Sequence, residues 1–102
     1  MYVSGLFPVP IAEINERPPS EEELSFIKNV ETELNFGNLT SKDTYILERE
    51  ELSSLHTLIT SHINSFLHEE LGAPKSCGLR ITQSWCNYTD SDQFHHKHNH
   101  LR

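Results

Sequence analysis

Two segments of the chain repeat apolar residues every three or four positions, which is the period of an amphipathic helix. The first covers Ser20 to Leu34 and starts with a capping-box spacing, because Glu23 follows Ser20 by three residues. The second covers about Arg49 to Leu71, and Gly72 stands directly after it, where a helix commonly stops. The pattern therefore predicts two helices, of which the second is the longer.

Three other segments favour extended structure. Leu79 to Cys86 alternates between apolar and polar residues, as a half-buried strand does. Phe94 to His100 is a second extended piece near the carboxy terminus. Gly5 to Ile14 is apolar, but Pro8 and Pro10 interrupt it, and proline cannot donate to a strand ladder. We therefore expect this last segment to be an edge strand.

The connecting segments are rich in turn-forming residues, with one apolar exception. Residues 35–44 predict a loop, and the apolar link Tyr45 to Leu47 is expected to anchor that loop to the core. Residues 87–92 are expected to turn the chain between the last two strands. Asp90 and Asp92 are therefore interpreted as turn residues rather than as metal ligands.

The predicted order of elements is strand, helix, helix, strand, strand. This order predicts an α+β fold in which two helices pack on one face of a small antiparallel sheet. A chain of 102 residues is long enough for one domain with a single modest core. Trp85 alternates with apolar residues in its predicted strand, and we expect it to belong to that core.

The chain is acidic, with a net charge of −7 and an isoelectric point near 5.4. This charge argues against nucleic acid and against an anionic membrane surface as partners. No apolar run approaches the length of a membrane span, and the amino terminus lacks the pattern of a signal peptide, so we expect a cytoplasmic location. Cys77 and Cys86 are expected to be reduced thiols in that compartment.

The candidate chemistry lies near the carboxy terminus, where four histidines fall between Phe94 and His100. Side chains two residues apart on a strand point the same way, and their backbones lie roughly 6–7 Å apart. His98 and His100 are therefore a candidate metal-ligand pair. Two imidazoles with a third ligand from elsewhere suit non-haem iron better than a closed zinc site, although the pair includes no carboxylate.

Other interpretations of the histidines stay open. The four at the carboxy terminus also fit an exposed polar tail that binds nothing. Three more lie six residues apart on the second predicted helix, a spacing that does not place them on one face. We interpret these three as solvated or half-buried helix residues: His56, His62 and His68.

Residues Ser84 to Asn87 (SWCN), a polar turn, and Phe94 to His100 (FHHKHNH) together resemble part of a known catalytic core. The family is that of iron(II)/2-oxoglutarate-dependent oxygenases of marine phages and bacteria, which are distantly similar to prolyl 4-hydroxylases. Its pattern is a tryptophan-x-asparagine strand, a glycine-containing turn, and histidine-x-histidine followed by proline, asparagine and serine. Here Ser91-Asp92 stand in place of the glycine, and Leu101-Arg102 replace proline and asparagine.

The resemblance implies a site and its cofactors. His98 and His100 would stand where the family's iron-binding His-x-Asp/His pair stands, with 2-oxoglutarate as the cosubstrate. His95 and His96 would be neighbours rather than ligands. No residue is implied to act as a catalytic acid or base.

The resemblance also implies how the chain is organised. Residues 1–102 would be a single domain resembling the start of a double-stranded β-helix, or jelly roll, interrupted after its first metal-ligand motif. An amino-terminal strand and the helices would occupy residues 1–75, and the β core would begin in residues 76–102. The family's distal histidine ligand and the basic residue that holds 2-oxoglutarate have no counterpart. We therefore expect a truncated reading frame or a fragment that shows no turnover alone.

A competing interpretation is a non-catalytic α+β orphan or interaction protein. Exposed strand edges would then pair with a second copy to give a homodimer. The histidine-rich end would bind metal adventitiously. No pattern in the chain identifies a substrate.

Overall fold

The computed structural model describes residues 9–93, and the order of elements within that range differs from the predicted one. A helix is followed by a strand hairpin, a second helix and a short third strand. The helices and strands are α1 (Glu21–Asn29), β1 (Thr32–Asn35), β2 (Asn38–Ser41), α2 (Ser53–Ser65) and β3 (Asn87–Tyr88).

The start of α1 confirms the capping box. The Ser20 side chain accepts a hydrogen bond from the Glu23 backbone N–H at 3.1 Å, and the Glu23 carboxylate accepts one from the Ser20 N–H at 2.8 Å. Each side chain thus satisfies a backbone donor that the first turn of a helix leaves without a partner. Three consecutive glutamates in this turn also favour the positive end of the helix dipole.

The prediction that this helix reaches Leu34 is wrong. It ends at Asn29, and Leu34 lies in β1 with its side chain 88% exposed. The chain leaves the helical conformation at Val30, which is extended. One residue later the Glu31 carbonyl accepts a hydrogen bond from the Lys42 N–H at 2.9 Å, so strand pairing with a distant segment replaces the next helical turn.

Half of the predicted loop at residues 35–44 lies in strands, so that prediction is wrong for Asn35 and for residues 38–41. β1 and β2 form an antiparallel hairpin whose register pairs Asn35 with Asn38 and Thr32 with Ser41. The turn between them is Phe36–Gly37, and Gly37 has a φ of 88°. A residue with positive φ is required at the second central position of a type II turn, and glycine adopts it without steric cost.

The second helix matches its prediction more closely. Two 3₁₀ turns, Ile46–Glu48 and Glu50–Leu52, lead into α2, and a π-helical turn at Phe66–Glu70 extends it. Gly72 then stops the helix with a φ of 69°, as its position predicts. Of the apolar side chains in the described range, Ile46 and Leu52 are the buried ones. The apolar link at Ile46 therefore does reach the core.

The prediction of a strand from Leu79 to Cys86 is wrong, because these residues form no regular strand. An isolated parallel bridge joins Ser84 to Tyr45, and the regular strand is β3, at two residues predicted to be a turn. Trp85 is 45% exposed, so its assignment to the core is wrong.

The edge strand predicted for Gly5 to Ile14 is not found in its described part. Residues 9–20 contain no helix or strand, and residues 5–8 lie outside the described range. The prolines that motivated an edge assignment also remove the donors that a strand ladder needs.

The α+β class is confirmed at the level of two helices and one three-stranded antiparallel sheet of order β1-β2-β3. Both helices contact the Glu50–Leu52 turn. The sheet reaches α1 through the Tyr88 hydroxyl, which donates a hydrogen bond to the Ile27 carbonyl. No helix in the described range has the length and apolar character needed to cross a membrane.

Candidate functional site

The predicted metal ligands His98 and His100 lie outside the described residues, as do His95 and His96. Their placement therefore stays a prediction. What the structure describes is the segment that leads to them, from Leu79 to Gln93.

Ser84 joins this segment to the apolar link. Its backbone N–H donates to the Thr44 carbonyl at 2.8 Å, and its carbonyl accepts from the Ile46 N–H at 3.2 Å. Its hydroxyl oxygen also accepts from the Leu47 N–H at 3.0 Å. Because Ile46 is buried, these bonds fix the segment to the core.

Ser41 and Cys86 form the next attachment point. The Ser41 N–H donates to the Cys86 carbonyl at 2.8 Å, and the Ser41 hydroxyl oxygen accepts from the Cys86 N–H at 3.0 Å. That hydroxyl donates in turn to the Asp43 carbonyl at 2.9 Å, so the buried Ser41 hydroxyl both donates and accepts a hydrogen bond. Since Ser84 and Cys86 both turn toward the sheet and the link, Trp85 between them faces outward.

The turn after β3 agrees with its prediction. The Gln93 N–H donates to the Asp90 carbonyl at 2.9 Å, and the Gln93 side-chain oxygen accepts from the Asp90 N–H at 2.9 Å. Asp90 therefore serves in the turn, as its sequence context predicts. The chain is positioned by these bonds at the point where it passes to the histidine-rich end.

The three helix histidines do not gather into one site. His62 Nε2 lies 2.7 Å from a carboxylate oxygen of Glu16, and His68 Nδ1 lies 3.2 Å from the Ala73 carbonyl oxygen. Within residues 9–93 no three histidine, cysteine, aspartate or glutamate side chains are grouped as a metal site would require. The described part thus supplies no complete metal site.

An arginine–glutamate pair that the sequence pattern does not reveal ties the amino-terminal segment to both helices. Arg17 contacts both carboxylate oxygens of Glu23, at 2.8 and 3.0 Å, and reaches the Ser54 hydroxyl of α2 at 3.3 Å. Hydrogen bonds from Arg17, and then from the Ser20 N–H, lower the pKa of Glu23 to about 2. The capping box signals Glu23 in the sequence, but nothing local identifies Arg17 as its partner.

An apolar groove of about 440 Å³ lies between the amino-terminal segment and α2. Leu79 closes one side of it, held by Asn64, whose side-chain amide exchanges two hydrogen bonds with the Leu79 backbone at 2.9 and 3.0 Å. His62 is the one titratable residue among the described residues of its lining. The lining residues are Pro10, Ile11, Ala12, Ile14, Ile59, His62, Ile63, Phe66 and Leu79. The groove has the chemistry of an apolar contact surface.

Comparison of this chain with protein-family models, with curated proteins and with solved structures found no match.

Proposed function

We propose that this chain is the amino-terminal part of an iron(II)/2-oxoglutarate-dependent oxygenase and that His98 and His100 bind the iron. The resemblance to that family supports the proposal through Trp85, Asn87 and the histidine-x-histidine pair. The observation that carries it structurally is the double attachment of the preceding segment at Ser84 and Cys86. A segment fixed in this way, followed by a tight turn, suits the presentation of a ligand pair at a defined position.

The donor set limits what the chain can do by itself. Two imidazoles are appropriate ligands for iron(II), and in such enzymes the bound metal supplies oxidation of a substrate C–H bond. A facial site needs a third protein ligand, and residues 9–93 group no such set of donors. Residues 9–93 therefore hold no complete facial site by themselves. The chain's own contribution would be to scaffold and position the pair. Its fold would then correspond to the start of the jelly roll found in that family.

The test is an anaerobic titration with iron(II), with and without 2-oxoglutarate, of the whole chain and of a His98→Ala/His100→Ala variant. We expect the parent chain to bind one iron per chain and the variant to bind iron at least about tenfold more weakly. We expect no charge-transfer band from chelated 2-oxoglutarate in either. The matched control is His95→Ala/His96→Ala, which removes two neighbouring imidazoles and should keep the parent affinity. Equal loss in both variants would mean nonspecific binding to a histidine-rich segment and would overturn the proposal.

A second candidate function is a non-catalytic interaction protein. It is favoured by the many large apolar side chains exposed in the described range, which include Val9, Ile11 and Phe36. Exposed apolar side chains that lie together, as Ile11 and Ile14 do in the lining of the groove, are typical of contact sites. This candidate predicts that the His98→Ala/His100→Ala variant keeps every association of the parent chain, which analytical ultracentrifugation would measure.

A further inference from the structure

β1 is an edge strand in the described part of the chain, because the sheet order is β1-β2-β3 and β2 is its strand partner there. Edge strands offer a row of backbone donors and acceptors to any second strand that approaches. Charged side chains, proline or a covering element usually block them. β1 contains no proline and carries one charged residue, Glu33. The apolar Leu34 beside it is 88% exposed.

The hydrogen-bond pattern identifies which backbone groups face the open edge. The Lys42 N–H donates to the Glu31 carbonyl, so Glu31 points toward β2. The Ser41 N–H donates to the Cys86 carbonyl, on the side of β2 that faces away from β1. Ser41 and its β1 partner Thr32 therefore form a pair that exchanges no hydrogen bonds. Such pairs alternate along an antiparallel ladder. The N–H and C=O groups of Thr32 and Leu34 therefore face the open edge.

Leu34 is also the last member of a row of side chains that crosses one face of the sheet and stops at the open edge. Leu34 pairs with Leu39 on β2, and Leu39 pairs with Tyr88 on β3, so these three side chains share one face of the sheet. At one end of the row, the Tyr88 hydroxyl is bonded to α1. At the other end, Leu34 is exposed to solvent.

We propose that the β1 edge pairs antiparallel with β1 of a second copy of this chain, about a two-fold axis at Leu34. The two sheets then join into one of six strands, and the row becomes Tyr88, Leu39, Leu34 followed by the same three residues of the second copy in reverse. Each Leu34 N–H donates to the Leu34 carbonyl of the other copy. The proposal goes beyond the metal pair and does not depend on it.

The register follows from charge and from the same backbone pattern. The pattern also permits an axis at Glu33, but that axis places two carboxylates directly opposite each other, which is destabilising. The axis at Leu34 places Glu33 opposite Asn35 of the second copy. Asn35 uses one amide hydrogen on Asn38, at 2.9 Å, and has a second one to donate. An axis at Asn35 also avoids opposed like charges, but it pairs only Asn35 with a β1 residue of the second copy. The axis at Leu34 pairs residues 33–35 of each β1 with the other and opposes no like charges, so it is the favoured register.

A second copy fits the edge better than an unrelated strand does. The two-fold axis pairs the outward N–H of each Leu34 with the outward C=O of the other Leu34, so the same surface serves both copies, as an isologous interface requires. The edge is thus complementary to itself in hydrogen bonding, in apolar side chains and in charge.

The register is tested by oxidative cross-linking of two variants, Leu34→Cys and Glu33→Cys, each in the full chain with the exposed Cys77 replaced by serine. Opposed residues in a hydrogen-bonded pair lie about 5.5 Å apart at Cα, within disulfide range. We expect Leu34→Cys to cross-link to itself and Glu33→Cys to remain monomeric under denaturing conditions, with the linked peptide confirmed by mass spectrometry. Cross-linking of Glu33→Cys alone would overturn the register.

The interface is tested separately by sedimentation of Leu34→Lys and of Ile11→Lys. Both positions are more than four-fifths exposed, at 88% and 82%, so neither change threatens folding, and circular dichroism checks this. We expect a dimer in the parent chain, a dissociation constant raised at least about tenfold by Leu34→Lys, and no change for Ile11→Lys. A monomeric parent chain at several hundred micromolar (on the scale of weak dimers) would overturn the proposal. So would loss of the dimer in Ile11→Lys alone, because that result would assign the interface to the groove.

Discussion

Residues 9–20 and residues 79–88 both cross the fold with little regular structure of their own, but they are attached in different ways. The first segment is attached by side chains, through the ion pair of Arg17 with Glu23 and through the contact of Glu16 with His62. The second is attached by backbone hydrogen bonds at Ser84 and Cys86. Backbone bonds do not change with pH or salt, whereas ion pairs do. The comparison therefore predicts that the two segments respond to different perturbations.

The largest effect is expected in the core, which lies beneath neither segment alone but at the turn between the two helices. Leu52 is fully buried in the turn that contacts α1 and α2. Leu52→Ala should lower the free energy of unfolding by about 2–5 kcal/mol, because it removes apolar contacts and leaves a cavity. Urea denaturation followed by circular dichroism measures this. The half-exposed Leu71 provides the control, and Leu71→Ala should cost about 1 kcal/mol or less. An equal loss of unfolding free energy in both variants would contradict the assignment of Leu52 to the centre of the core.

Loss of the Ser41 hydroxyl should weaken the second segment selectively. Ser41→Ala leaves the Cys86 N–H without its acceptor, which should cost about 1–3 kcal/mol. Hydrogen exchange should show faster exchange at Cys86 and Ser84, while protection within α1 falls only by the global change. The solvent-exposed Ser61 on α2 serves as a control, and Ser61→Ala should change stability by less than about 0.5 kcal/mol. Uniform loss of protection would contradict a local attachment.

Charge removal at Glu23 should weaken the first segment in a pH-dependent manner. The folded-state pKa of Glu23 is about 2, below the unfolded value, so its stabilising effect is fully present above pH ~4.3 and is lost as pH falls toward 2. Glu23→Gln can keep the capping box but not the ion pair. Its urea midpoint should lie below that of the parent chain near pH 6, and the two midpoints should converge near pH 2. Glu21→Gln controls for net charge, and convergence of the same size in that variant would contradict the assignment to Arg17.

The Glu16–His62 contact should have the smallest effect. Both side chains are partly exposed, and a contact between such side chains contributes at most about 1 kcal/mol even when both are charged. Glu16→Gln should therefore change the free energy of unfolding by less than about 0.5 kcal/mol, with the difference shrinking at high salt. Denaturation at low and high ionic strength measures it, with Glu13→Gln as the neighbouring control. A loss that salt does not reduce would indicate a packing role for Glu16.

Local signals in the sequence determined three features correctly. The spacing of Ser20 and Glu23 predicted where α1 begins, Gly72 predicted where the second helical segment stops, and the polar run at Asp90 predicted a turn. Each of these depends on residues that lie within about four positions of one another. Their hydrogen bonds can form without reference to the rest of the chain.

The tertiary structure decided the features that depend on distant partners. Leu34 continues the apolar spacing of α1, yet it lies in a strand because Glu31 pairs with Lys42 across the hairpin. The strand period at Trp85 is real, but the bonds from Ser84 to Thr44 and from Cys86 to Ser41 set which face is covered, and they leave Trp85 outside. Periodicity in a sequence specifies that one face differs from the other. Only the partners that arrive from elsewhere in the chain determine which face is buried, because burial is a property of the assembled contacts.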